Sequence, residues 1–207
     1  MPSHIKAIVF DYGNVIAKFN VQTFVLAIAP FTPLTLQELG LALKRSSNII
    51  TGYEMGQMTS EQFFSRMKHT CSLSITEEQF QSAYRNIFTP VDTTIELIPR
   101  LKPSFKLGLL SNTSEWHFQN EIQRNALFPL FDAVSVSFLV KARKPSELIY
   151  AHMLNQLAIE ASACIYIDDI AEYAEAAQRL GMVGIHYTSH ESLLHSLERY
   201  GVRPAST

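Results

Sequence analysis

The spacing of hydrophobic residues divides the chain into a first strand, a helical stretch and a longer alternating segment. Residues 5–10 form an apolar run with β-branched side chains, which predicts a short buried strand. Residues 19–89 then contain no convincing strand pattern. Within this stretch Thr59 and Thr76 each precede a Gln by three residues, which is the spacing of a capping box. We therefore predict that helices follow the first strand.

The rest of the chain alternates between strand and helix patterns. The predicted strands are 105–110, 133–136, 164–167 and 182–187, and the last two predicted helices are 171–180 and 190–199. Strands that alternate with helices imply a parallel sheet covered on both faces. The predicted fold class is α/β, a doubly wound, Rossmann-like parallel sheet with an inserted all-helical cap. The core domain is predicted at residues 1–17 and 90–207, and the helical cap at 18–89.

Several polar side chains stand at the carboxyl ends of the predicted strands. Asp11 follows the first strand, Ser111 the second, and the pair Asp168 and Asp169 the fourth. In a parallel sheet these ends meet in one crevice, where ligands bind. Each residue also has an ordinary explanation, since Asp forms turns and acidic pairs cap helices. Adjacent carboxylates repel each other unless a cation joins them, however, and such oxygen ligands suit Mg²⁺.

Four separated segments carry a likeness to a known family. They read IVFDYGNV at 8–15, LLSNT at 109–113, RKP at 143–145 and IYIDD at 165–169. In this order, and at these element boundaries, they resemble the haloacid dehalogenase-like (HAD) hydrolase superfamily, most of whose members are phosphatases. The resemblance covers the whole chain. The predicted helical stretch lies where this family carries its cap domain.

The resemblance implies a role for each matching residue. Asp11 is the expected nucleophile, which would form an aspartyl-phosphate, and Lys144 is the second expected catalytic residue. The groups expected to hold Mg²⁺ are Asp11, the backbone carbonyl of Gly13, Asp168 and Asp169. The residues expected to bind the phosphoryl group are Ser111, Asn112 and Lys144. These roles suit phosphoryl transfer, which chiefly requires positioning and neutralisation of charge, and the implied partner is a small phosphorylated metabolite.

Three positions depart from the family pattern. The family's phosphatases usually carry a second Asp two residues after the nucleophile, where it protonates the leaving oxygen, and this chain has Gly13 there. The sequence DYGNV resembles a branch with Gly at this position, some members of which hydrolyse sugar 1-phosphates. Tyr173 stands where Asn or Asp is usual, and Lys141 where Gly is common. Since general acid–base catalysis supplies about 10²–10⁴-fold, Gly13 predicts a preference for leaving groups that depart easily.

The composition restricts the partners and the compartment. A formal net charge of -2 over 207 residues provides no overall basic field for nucleic acid. The N-terminus lacks a signal-peptide pattern, and no apolar run reaches the length of a membrane span. Cys71 and Cys164 share no metal-ligand spacing and are interpreted as buried thiols in a reducing compartment. We therefore expect a cytoplasmic protein that binds neither nucleic acid nor membrane, and the oligomeric state is left open.

Three functions fit these residues. The leading hypothesis is a Mg²⁺-dependent phosphatase that acts on a small phosphomonoester such as a sugar phosphate. A 2-haloacid dehalogenase would use a similar Asp nucleophile, but that branch needs no metal and lacks the acidic pair in its last motif. The third is a catalytically weak HAD fold that binds a phosphorylated ligand or a protein partner. Gly13 and Tyr173 favour this last reading, whereas Asp11, Lys144 and the acidic pair favour catalysis.

Overall fold

The computed structural model describes residues 4–205 and has a parallel sheet at its centre. The strands are β1 (Ala7–Phe10), β2 (Ala17–Phe19), β3 (Phe88–Pro90), β4 (Lys106–Ser111), β5 (Ala133–Val136), β6 (Cys164–Asp168) and β7 (Val183–His186). The helices are α1 (Val21–Ile28), α2 (Leu36–Arg45), α3 (Ser47–Glu54), α4 (Ser60–Thr70), α5 (Glu77–Arg85), α6 (Asp92–Leu101), α7 (Glu115–His117), α8 (Ser137–Val140), α9 (Glu147–Leu157), α10 (Ala171–Arg179) and α11 (His190–Arg199). Single-turn 3₁₀ segments and a π-helical segment at Phe118–Ile122 complete the elements.

Five of the strands form the sheet, in the order β5-β4-β1-β6-β7, and all neighbours are parallel. The strand order reverses at β1, which is the position where doubly wound sheets bind their ligands. Phe10 on β1 is level with Leu109 on one side and Ile167 on the other. The residues that follow these three positions therefore emerge at the same edge of the sheet.

Alternating residues of the strands bury against helices on both faces of the sheet. On one face Ile8 and Phe10 belong to a cluster that includes side chains of α6 and α11. On the other face Ala7 and Val9 belong to a cluster that includes side chains of α9 and α10. Since β1 is buried on both faces, it reads as a continuous apolar run. The predicted α/β fold class, a doubly wound Rossmann-like sheet, is confirmed.

Helices α1 to α5, called the helical lobe below, have a core of their own. Its centre is aromatic, with the rings of Tyr53 and Phe63 stacked at 4.2 Å and Trp116 of α7 joining the same cluster. The capping boxes predicted at Thr59 and Thr76 are both present. In each, the Thr hydroxyl accepts a backbone N–H and a Gln side chain accepts the backbone N–H of the Thr, so two groups at the helix start are satisfied.

Two short strands correct the expectation that residues 19–89 contain no strand. β2 and β3 pair antiparallel, with Ala17 opposite Pro90 and Phe19 opposite Phe88. Three residues per strand are too few for a sequence pattern, and the pairing joins segments that are far apart in the chain. Both predicted boundaries between the helical cap and the core lie within this ribbon, which carries the chain into and out of the helical lobe. The division into two domains stays a prediction.

The helices are short, and the longest ones, α4 and α9, have 11 residues each. Within residues 4–205, no single helix combines the length and the apolar character needed to cross a membrane. In that same range, the sharply bent pair Val21–Phe31 and Leu36–Arg45 reaches that length and composition when its two parts are taken together.

Candidate active site

Three carboxylates converge at the edge of the sheet where β1 and β6 end. Asp11 directly follows β1, and its backbone N–H donates to the carbonyl of Ile167 at 2.9 Å. Asp168 ends β6 and Asp169 follows it, so the parallel register brings all three acids together. One oxygen of each carboxylate lies within 4.8 Å of those of the other two. Asp11 is 6% exposed and Asp168 is fully buried, and clustered carboxylate oxygens of this kind suit a hard divalent cation such as Mg²⁺.

Lys144 supplies a buried positive charge to this cluster. Its Nζ lies 2.9 Å from Oδ1 of Asp11 and 2.6 Å from Oδ2 of Asp168, and the side chain is only 1% exposed. Burial lowers the pKa of Lys144, but the two carboxylates raise it more, so the lysine stays charged. Burial raises the pKa of Asp11, with Lys144 opposing and Asp168 adding to that shift. A bound divalent cation would lower the pKa of Asp11 again, because it favours the ionised form.

Asp168 and Asp169 are adjacent in the chain, but their carboxylates accept hydrogen bonds from different donors. Both oxygens of Asp168 accept protein donors, since Oδ2 accepts from Lys144 and from the hydroxyl of Tyr166, while Oδ1 accepts from the N–H of Ile170 at 2.8 Å. Asp168 therefore orients Lys144. Asp169 accepts at Oδ2 from the amide of Asn14 at 2.9 Å. Asn14 has a φ of 55°, a left-handed conformation that Asn tolerates better than most residues.

Ser111 and Asn112 lie at the end of β4, where the chain leaves the sheet. Ser111 is buried and lines the cavity described below, as does Asn112. The Asn112 amide makes two hydrogen bonds to the backbone of Lys144, accepting from its N–H at 2.8 Å and donating to its carbonyl at 3.2 Å. The Asn112 side chain thus fixes the segment that carries the lysine. Phosphate binding by Ser111 and Asn112 stays a prediction, and the amide side chain of Asn112 is already engaged by the backbone of Lys144.

Gly13 faces both the expected nucleophile and an aromatic ring. A Cβ placed on Gly13 would lie 4.0 Å from Oδ2 of Asp11 and 3.3 Å from the ring of Phe19. Position 13 thus offers no side chain next to Asp11, and the apolar ring of Phe19 stands beside it. A larger side chain at this position would require Phe19, which is 45% exposed, to move.

The other two departures from the family pattern have structural explanations. Lys141 follows α8 as its C-cap with a φ of 59°, a left-handed conformation that costs a non-glycine residue free energy and that glycine adopts more readily. Its Nζ donates to the carbonyl of Gly56 at 2.8 Å, which connects the core to the helical lobe. The ring of Tyr173 lies 5.0 Å from Nζ of Lys144, within range of a cation–π interaction.

A cavity of about 430 Å³ lies between the helical lobe and the sheet edge. Its lining is mainly apolar and includes Phe19, Val25, Leu43, Ile50, Met67 and Ile87. At the sheet edge it reaches Gly13 and the polar side chains of Glu54, Ser111 and Asn112. The cavity volume lies within the range of about 300–1,000 Å³ that is typical of small-molecule sites. A molecule with an apolar body and one polar end would fit this distribution of side chains.

The sequence analysis did not identify two residues that hold parts of the site in place, Tyr166 and Ser137. Tyr166 donates its hydroxyl to Asp168, and Ser137 joins the helical lobe to the loop after β4. The Ser137 hydroxyl accepts from the N–H of Thr113 at 2.9 Å and lies 2.6 Å from the carbonyl of Glu54. Tyr166 lies two residues before Asp168 on the same strand face, and Ser137 directly follows β5. The strand-end criterion that identified Asp11 therefore also applied to Ser137.

Known proteins share sequence similarity with most of this chain. Residues 8–186 match the family model described as haloacid dehalogenase-like hydrolase. A sesquiterpene phosphatase, AstK of Aspergillus oryzae, is 26% identical over 192 residues, which cover 91% of this chain and 92% of that protein.

Two solved structures share the fold. The HAD-family enzyme BT-2542 of Bacteroides thetaiotaomicron, in complex with magnesium and inorganic phosphate, has a TM-score of 0.77 at 18% identity and covers 89% of this chain and 94% of its own. The L-2-haloacid dehalogenase of Xanthobacter autotrophicus has a TM-score of 0.63 at 21% identity and covers 94% of this chain and 82% of its own. At these identities the likeness concerns the fold.

Proposed function

Because this chain belongs to the haloacid dehalogenase-like hydrolases, we propose that it is a Mg²⁺-dependent phosphatase that hydrolyses phosphomonoesters of apolar alcohols. The observation that carries this proposal is one cavity with two chemically different ends. The polar end lies beside the cluster of Asp11, Lys144, Asp168 and Asp169, and the remainder is mainly apolar, with Lys44 and His117 among its charged or polar exceptions. The A. oryzae relative, a phosphatase by name, supports the same reaction class.

Asp11, the carbonyl of Gly13 and Asp169 would hold Mg²⁺, and Asp168 would assist by fixing Lys144. When bound, the ion neutralises phosphoryl charge and favours the ionised form of Asp11. The close carboxylate oxygens fit this role, since acids at such short range require a cation to remain ionised together.

The side chains of the protein then divide the phosphoryl-transfer reaction between them. A carboxylate oxygen of Asp11 attacks phosphorus, the new Asp11–phosphorus bond forms, and the bond from phosphorus to the alcohol oxygen breaks. Lys144 stabilises the phosphoryl oxygens with its fixed charge, and Ser111 contributes at the end of β4. Water then attacks the aspartyl-phosphate, which releases inorganic phosphate and restores the Asp11 carboxylate. The buried pairing of Lys144 keeps its charge in place through both steps, so little reorganisation is required.

The lining of the cavity favours a hydrocarbon group over a sugar. A sugar would place several hydroxyls against Val25, Leu43 and Met67, where they would lose hydrogen bonds to water. A hydrocarbon chain would instead gain about 0.8 kcal/mol for each CH₂ that it buries. The sesquiterpene substrate class in the name of the A. oryzae relative agrees with this preference. We therefore place isoprenoid and alkyl phosphates ahead of the sugar phosphates suggested by the DYGNV motif.

A substrate series tests the proposal directly. Phosphate release is measured in Mg²⁺ for farnesyl phosphate, alkyl phosphates from butyl to decyl, and glucose 1- and 6-phosphate. We expect kcat/KM to rise with chain length by up to about fourfold per CH₂, which corresponds to about 0.8 kcal/mol each, until the cavity is filled. Removal of divalent cations with EDTA should abolish turnover, and added Mg²⁺ should restore it.

Two leucines of α2 provide a matched pair of variants. Leu43 lines the cavity, whereas Leu41 is 48% exposed on the same helix. Leu43→Gln should flatten the dependence of kcat/KM on chain length, and Leu41→Gln should leave it unchanged. Faster turnover of glucose phosphates than of decyl phosphate would reject the apolar substrate class. Absence of turnover with every phosphomonoester in Mg²⁺ would reject the phosphatase function itself and favour a ligand-binding role.

A further inference from the structure

The proposed reaction leaves a proton unaccounted for. An alcohol such as decanol departs as a strongly basic oxygen, and general acid catalysis is then worth about 10²–10⁴-fold. Position 13, which faces Oδ2 of Asp11, has no side chain, and the ring of Phe19 lies where one would extend. The acid that protonates the leaving oxygen must therefore come from elsewhere in the cavity.

Glu54 is the one carboxylic acid among the described residues that line the cavity. It ends α3 of the helical lobe and shares the polar end of the cavity with Gly13 and Ser111. Its side chain is 23% exposed, so it is largely removed from solvent yet accessible from the cavity. A proton donor at this end would therefore share the cavity with the residues at the sheet edge where the reaction is proposed to occur.

The contacts of Glu54 hold it in place. The hydroxyl of Ser137 donates to its backbone carbonyl at 2.6 Å. Nη2 of Arg143 lies 3.6 Å from its Oε2, and Nη1 of Arg143 donates to the hydroxyl of Thr51 at 3.3 Å. Arg143 directly precedes Lys144, so the element that carries the phosphate-binding lysine also positions this carboxylate.

The electrostatic environment suits a group that exchanges protons. Burial raises the pKa of the Glu54 carboxyl, and the positive charges of Arg143 and Lys144 oppose that shift without cancelling it. His117, which also lines the cavity, is a poorer candidate. Its Nε2 is engaged with the carbonyl of Tyr84, and burial lowers its pKa to about 4, which leaves it neutral at pH 7.

We propose that Glu54 is the general acid and base of this phosphatase, in place of the carboxylate missing at position 13. The proposal rests on the phosphatase function given above. As the bond between phosphorus and the alcohol oxygen breaks, that oxygen takes the proton of Glu54 and leaves as the neutral alcohol. Glu54, now a carboxylate, then accepts a proton from the water that attacks the aspartyl-phosphate. The helical lobe thus contributes a catalytic residue to a site built on the sheet.

The test compares two leaving groups in the presence of Mg²⁺, with decyl phosphate as the strongly basic one and p-nitrophenyl phosphate as the weakly basic one. Glu54→Gln should lower the single-turnover rate for decyl phosphate by about 10²–10⁴-fold. With p-nitrophenyl phosphate it should still release a rapid burst of one p-nitrophenol per active site, followed by slow turnover, because the second step lacks its base. Glu54→Asp should recover part of the loss.

Glu115→Gln is the matched control. Glu115 also joins core and lobe, since Ser60 of α4 donates to its Oε2 at 2.5 Å, but it lies outside this cavity. We expect Glu115→Gln to leave the ratio of the two rates unchanged, because Glu115 does not line the cavity and cannot exchange a proton with the substrate there. An equal loss for both leaving groups in Glu54→Gln, or no loss for either, would overturn the role of Glu54 while the wild-type enzyme stays active. An inactive wild type would instead reject the phosphatase function on which the proposal rests.

Discussion

Substitution of Lys144 by Met removes the buried positive charge and tests how far the site depends on it. Two carboxylates would then remain buried without their counter-charge, since Asp11 is 6% and Asp168 is 0% exposed. With an effective dielectric constant of about 20, unit charges 2.6–2.9 Å apart attract by about 6 kcal/mol, part of which offsets desolvation. Removal of one partner from a buried pair costs about 3–5 kcal/mol.

We therefore expect Lys144→Met to lower the free energy of unfolding by about 3–5 kcal/mol in EDTA. For a chain of this size, each kcal/mol corresponds to about 2–4 °C, so Tm should fall by about 6–20 °C. Calorimetry and urea denaturation at pH 7 measure both quantities. The loss is large compared with a typical total stability of about 5–15 kcal/mol, so the variant should be studied at low temperature.

An exposed pair with the same geometry provides the control. Nζ of Lys102 lies 2.6 Å from Oδ1 of Asp132, the same separation as between Lys144 and Asp168, but its side chains are 33% and 38% exposed. Because water screens exposed charges, Lys102→Met should cost only about 0–1 kcal/mol.

If Lys144→Met and Lys102→Met lowered the free energy of unfolding equally, burial could not be the reason that the Lys144 ion pairs contribute more to stability. A further check adds Asp168→Asn to Lys144→Met. If the cost comes from an unpaired buried charge, the double variant should be more stable than the sum of the single losses predicts, by about 1–3 kcal/mol. Additive losses would assign the cost to packing instead.

Three more substitutions follow from the structure. Asp11→Asn should lower turnover by at least about 10³-fold, as expected for loss of a nucleophile, with an unchanged circular dichroism spectrum, and near-normal turnover would reject the mechanism. Thr76→Ala removes the hydroxyl that caps α5 and should cost about 0.5–2 kcal/mol in urea denaturation, so no loss would contradict the importance of this capping box. Ser137→Ala leaves buried backbone groups unpaired and should cost about 1–3 kcal/mol, whereas Ala at the exposed Ser104 should change stability by less than about 0.5 kcal/mol.

Local patterns determined much of the fold. The capping boxes at Thr59 and Thr76 were predictable because both partners lie within one turn. Strand β5 was predicted with the bounds that the structure shows, and the helix starting at His190 likewise, because apolar periodicity reports burial within a single element. The convergence of Asp11 with Asp169 also followed from the sequence, since all strand ends of a parallel sheet face one edge.

Contacts between distant segments decided the rest. The ribbon of β2 and β3 exists only through the pairing of two three-residue segments, so neither carries a detectable pattern alone. Ser137 lies 83 residues from Glu54 and Asn14 lies 155 residues from Asp169, and no periodicity encodes such pairings. The apolar cavity arises from packing the helical lobe against the sheet. The substrate class therefore could not be predicted from the sequence. The order of the chain determined which groups reach the site, and tertiary packing determined what they face.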